Sequence, residues 1–141
     1  MSTTTTQTHI ASTPQRTLLG RAMIENALFS GLSGITLALG APGFDSWLGV
    51  NAWVLVAIAI GLMIFALDLF TWARSSRWLR RGAMIAVTGD VLWLIGAVAL
   101  IVFTDVLTSA GEIALLVVTA VVAVFAVMQT VGLVRVGHKE A

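Results

Sequence analysis

Four stretches of this 141-residue chain are each apolar for more than twenty residues, and that single feature decides its solvent. A bilayer core is crossed by about 20 mostly apolar residues in helical form. The stretches run over about 18–41, 48–73, 82–104 and 112–136, and the first is expected to end at Pro42-Gly43. Charged residues make up only 11% of the chain, against roughly 25% in a soluble domain. A domain this small could not bury so much apolar surface in water. Val117-Val118 and Val121-Val122 would suit strands in water, but an open strand in lipid leaves backbone groups unpaired, so these segments are expected to be helices. The expected fold is all-α: a polytopic four-transmembrane-helix bundle in residues 18–136. Residues 1–17, rich in Ser and Thr, have no apolar periodicity and read as a disordered tail, with a second short tail at 137–141.

Orientation follows from the cations. Arg16 and Arg21 precede or open the first span, Arg74, Arg77, Arg80 and Arg81 cluster between the second and third, and Arg135 and Lys139 follow the fourth. The loops around Asp45 and Asp105 carry none. The positive-inside rule then places both termini and the basic loop in the cytoplasm, as in a multipass protein of a bacterial inner membrane. Trp47 and Trp53 near one boundary, and Trp72 and Trp78 near the other, suit the interfacial belt. The first span is too long, and too interrupted by Glu25 and Asn26, for a cleaved signal peptide.

Polar residues inside membrane spans are costly and by default face the bundle interior. Glu25, Asn26, Asp68, Asp90 and Gln129 all fall near the basic end of their spans, at roughly 6–13 Å depth by a 1.5 Å rise per residue. Small and polar residues share their helix faces: Asn26, Ser30, Ser33 and Gly34; Ala57, Gly61 and Asp68; Ala86, Asp90, Trp93 and Ala97; Thr119, Ala123, Ala126 and Thr130 beside Gln129. Such positions let membrane helices approach and bond across the gap. Asn26-Ala27-Leu28-Phe29 matches Asp90-Val91-Leu92-Trp93 in type and depth, and Asp68 with Arg74 matches Gln129 with Arg135. That pattern is a faint parallel repeat of two helical hairpins.

Glu25 stands one turn from Arg21, at ion-pair spacing. Asp68 and Asp90 have no such cation, so they are expected to bond to Asn26, Gln129, Thr71 or Thr88, reach the Arg cluster, or hold a proton. Three functions are open to this layer. It can be structural glue in an accessory or interaction subunit. It can be a cytoplasm-facing site for a proton, cation or cationic amphiphile, built from Glu25, Asn26, Asp68, Asp90 and Gln129 with Trp93 as a wall. Or it can be a membrane enzyme using an aspartate on a lipid-soluble substrate, although no nucleophile, phosphate loop or metal set supports that. The chain has no cysteine, and its two histidines, His9 and His138, lie in the tails. No metal and no cofactor are expected. Arg74, Arg77, Arg80 and Arg81 set topology and are candidate contacts for anionic lipid. The expected partners are the bilayer and another membrane protein or a second copy, not nucleic acid.

The run Asn26-Ala27-Leu28-Phe29-Ser30, the stretch Phe65-Ala66-Leu67-Asp68, and Gly89-Asp90 followed by Trp93 resemble features of small four-helix bacterial membrane proteins of unassigned activity. The resemblance covers most of residues 18–136 and implies a fold without a reaction. Glu25 also resembles the embedded first-helix glutamate of small multidrug transporters. Here Arg21 neutralises it, and the cation bias opposes a dual topology.

Overall fold

The computed structural model describes residues 14–137, with the side chains of 14–17 and 137 left aside. The expectations for most of the amino-terminal tail, and for His9, His138 and Lys139, lie outside the described residues. The rest folds into four helices: α1 (Pro14–Leu48), α2 (Ala52–Arg74), α3 (Leu79–Phe103) and α4 (Ser109–Gly137). All four are long and apolar enough to cross a membrane. The valine-rich segments are helical throughout, as backbone satisfaction in lipid requires. The chain is a multipass membrane protein.

The first helix departs from expectation at both ends. It begins at Pro14, inside the stretch expected to be tail, and continues through Pro42 to Leu48. Proline removes one backbone donor, leaving the Ala38 carbonyl without its usual partner, but it does not forbid the turns that follow. The helix stops where Gly49 adopts φ +78°, a conformation that glycine enters without a Cβ penalty. The amides of Gly49 and Val50 then close on the Asp45 carbonyl at 2.9 and 3.1 Å. At 35 residues α1 is about 52 Å long, well beyond the roughly 30 Å of hydrocarbon it must cross.

Short connections carry their own caps. The Asn51 side chain accepts from the Trp53 amide at 2.9 Å and opens α2. Thr108 caps α4 by accepting from the Gly111 amide at 3.1 Å. Its hydroxyl also donates to the Trp47 carbonyl, and its amide reaches the Leu48 carbonyl at 3.2 Å. The end of α1 is thereby tied to the start of α4.

The most extensive seam joins α1 and α2. Gly20, Gly31 and Gly34 of α1 lie against Ala73, Ala66 and Ala59 of α2. A Cβ on Gly34 would stand 2.9 Å from the Ala59 carbonyl oxygen, so only glycine permits this approach. On the α2 side the alanines repeat every seven residues, as do Leu55, Leu62 and Leu69, the period of a left-handed helix pair. The core continues through Leu19, Met23, Leu69, Ala83 and Ala86 near the basic end. Trp72 packs over Gly82 and Phe65 lies near Gly89, joining α2 to α3.

Candidate functional site

The polar layer divides into a closed cluster and an outlying carboxylate. On α1, Asn26 and Ser30 are one turn apart and buried; on α3, Asp90 is 3% exposed. The Asn26 side-chain nitrogen donates to Asp90 Oδ2 at 3.2 Å, and the Ser30 hydroxyl donates to Asn26 Oδ1 at 3.2 Å. The first bond connects α1 to α3 through the middle of the bundle, and the second, within α1, holds the Asn26 amide. The sequence reading of those two faces is correct. The first pair of the repeat, Asn26 and Asp90, meets at one depth.

Gln129 on α4 lies up to about one turn nearer the basic end, beside Met23 and Ile24, because α4 runs antiparallel to α1 with Phe125 beside Phe29 and Gly132 beside Leu19. It is fully buried, and neither its Oε1 nor its Nε2 has a hydrogen-bond partner among the described residues. The Trp93 indole nitrogen and the Thr119 hydroxyl are buried and unpartnered in the same way. Trp93 is half-buried, so it stands in the wall of the bundle.

Asp68 requires a correction. The expected shared face of Ala57, Gly61 and Asp68 exists, but all three residues are exposed. Because Gly31 faces Ala66 and Gly20 faces Ala73, Asp68 sits level with Ala27 and Leu28, hence with the Asn26–Asp90 pair. It nevertheless points out of the bundle, and among the described residues no side chain pairs with its carboxylate. The hydroxyls expected to serve it are committed elsewhere. Thr71 donates to the Leu67 and Asp68 carbonyls at 2.9 and 2.8 Å, and Thr88 to the Met84 carbonyl at 2.9 Å. The cause is the alanine heptad: with Ala59, Ala66 and Ala73 turned to α1, Ala57, Gly61 and Asp68 face outward. The second pair of the repeat therefore differs in environment, Gln129 inside and Asp68 outside. Thr130 is likewise exposed.

Glu25 accepts from Arg21 Nε at 3.1 Å, the expected one-turn ion pair. The pair lines an open groove of about 560 Å³ at the basic end, with Arg74 and Ser76 on its other side. Arg74 stacks over Phe70 at 3.9 Å, while Arg77 and Arg81 lie 5.9 Å from the Trp78 ring. Of these groove residues, Gly20, Ile24 and Ser76 carried no signal in the sequence. A second groove of about 310 Å³ follows the α1–α2 seam and is almost wholly apolar. Asp90, Asn26 and Gln129 line neither groove. No group of three or more histidine, aspartate and glutamate side chains is placed to hold a metal among the described residues. No family model matches the chain, and neither a curated protein nor a solved structure matches it significantly.

Proposed function

We propose that this chain is a non-enzymatic accessory subunit of a membrane assembly, and that the Asp68 face of α2 is where it meets its partner. The observation that carries this reading is an intramembrane carboxylate on the outside of the bundle with no described partner. An aspartate facing lipid costs roughly 2.5–3.5 kcal/mol at the bilayer centre and less toward the interface. Covering it with protein removes that cost. Ala57 and Gly61 lie on the same face, and nothing stands within 4 Å of where a Gly61 Cβ would be, so another helix can approach closely.

Charge decides what kind of helix fits. A second copy related by an axis normal to the membrane would bring two Asp68 carboxylates together at one depth, which like charges oppose. The partner is therefore a transmembrane helix of another protein, carrying a cation or a hydrogen-bond donor at that depth. The closed cluster around Asp90 acts as internal glue. A carrier for protons or cations needs a route to its carboxylate, and neither groove reaches Asp90. The cation distribution supports cytoplasmic termini, and a bacterial inner membrane is the setting we propose.

Mild detergent extraction of native membranes tests the proposal. The wild-type chain should migrate in a particle larger than the bundle, and Asp68→Leu should release it as a folded monomer. A purified protein that dimerises by itself, or an Asp68→Leu variant of unchanged particle size, would refute the proposed partner.

A further inference from the structure

The two grooves lie end to end on the outer side of the α1–α2 seam, away from the Asp68 face. The basic groove is flanked by Arg21 and Glu25 on α1 and by Arg74 and Ser76 on α2 and the turn after it. One turn deeper, the apolar groove runs between Leu28, Gly31 and Ile35 of α1 and Met63, Leu67 and Phe70 of α2. They are joined physically, because the Arg74 guanidinium that lines the first rests 3.9 Å above the Phe70 ring that lines the second. From Arg21 to Ile35 the seam extends about 21 Å, more than one leaflet of a hydrocarbon core about 30 Å thick.

We infer that this seam seats one anionic phospholipid of the leaflet at the basic end, with its phosphate between Arg21 and Arg74 and an acyl chain in the apolar groove. Glu25 engages Arg21 only through Nε, leaving the terminal amino groups of the guanidinium for a phosphate oxygen. Two arginines against one glutamate leave the groove with one excess positive charge, which matches a phosphodiester. The Ser76 hydroxyl lies on the same rim as a further donor. Arg74 is held in place by Phe70, so less side-chain freedom is lost when it binds. The apolar continuation separates a lipid from free phosphate, since only a lipid fills both ends.

Native mass spectrometry of the full-length protein tests the seat, using phosphatidylglycerol, phosphatidylcholine and sn-glycerol phosphate as probes. The wild-type chain should retain one phosphatidylglycerol through detergent exchange, and bind phosphatidylcholine and the chainless phosphate far more weakly. Arg21→Gln with Arg74→Gln should weaken retention roughly ten- to thirty-fold, since each cation near the surface contributes about 1 kcal/mol. Arg77→Gln with Arg81→Gln removes the same charge but from side chains that do not line the groove, so no direct phosphate contact is lost and retention should stay within about two-fold. Equal losses in the two double variants, or equal retention of both phospholipids, would overturn the seat. Should the first double variant fail to fold, Arg74→Lys, which keeps the charge and loses the fork, should still weaken retention measurably. Unchanged retention in that variant would also count against it.

Discussion

Asp90 and Asp68 are the same residue type at the same depth, yet the protein treats them in opposite ways. Asp90 is closed inside the bundle with Asn26 donating to it, while Asp68 stands on the outer face of α2 with no described partner. Depth and composition therefore do not determine what an intramembrane carboxylate is for; the face it occupies does. Asp90 links two helices of one chain. Asp68 has no such link among the described residues, and we propose that a partner helix covers it.

The comparison breaks most readily at Asp90. Asp90→Leu removes the acceptor of a buried amide, and should cost about 1–3 kcal/mol in reversible unfolding from mixed micelles. Asp90→Asn, which still offers an oxygen to Asn26, should cost well under half of that. If both changes were neutral, the buried pair would not be holding α1 to α3. For Asp68 the pattern reverses. Asp68→Leu should leave the unfolding free energy of the purified bundle within about 0.5 kcal/mol, yet weaken its association in membranes by about tenfold or more.

Gln129 sharpens the contrast from a third side. Its buried amide has no described partner, so Gln129→Met should stabilise the bundle by about 1 kcal/mol. A destabilisation would mean that the amide is bonded within the layer. The smallest effect is expected at the rim, where the Arg21–Glu25 pair is exposed. Glu25→Gln should change stability by only a few tenths of a kcal/mol, and less at high salt.

Much of this architecture is legible in the sequence. Four spans follow from hydropathy alone, and the inward faces of α1, α3 and α4 follow from Asn26-Ser30, Ala86-Asp90-Ala97 and Ala126-Gln129. The second span misled because it carries two small-residue stripes. Ala57 and Gly61 share a side with Asp68, and the default that polar residues face inward selected that stripe. The alanine heptad of Ala59, Ala66 and Ala73 is equally visible, but only the glycines of α1 decide between them, and pairing across helices is not written in either helix alone. Pro42 misled for a different reason. Proline disfavours helix locally, yet a single missing donor is tolerated when the flanking turns stay satisfied, so α1 runs on to Gly49. The grooves were invisible because their linings come from separate elements.

The most direct test of Asp68 as a contact residue uses the absence of cysteine in the chain. An Ile64→Cys variant, one turn from Asp68 on the same exposed face, carries a single thiol, so the purified protein can be labelled there with a photo-crosslinker and then fused into native membranes. The account predicts one discrete adduct with a different membrane protein, lost when Asp68→Leu is added and retained when Asp90→Asn is added. An adduct pattern indifferent to Asp68→Leu, or crosslinks to lipid alone, would contradict it.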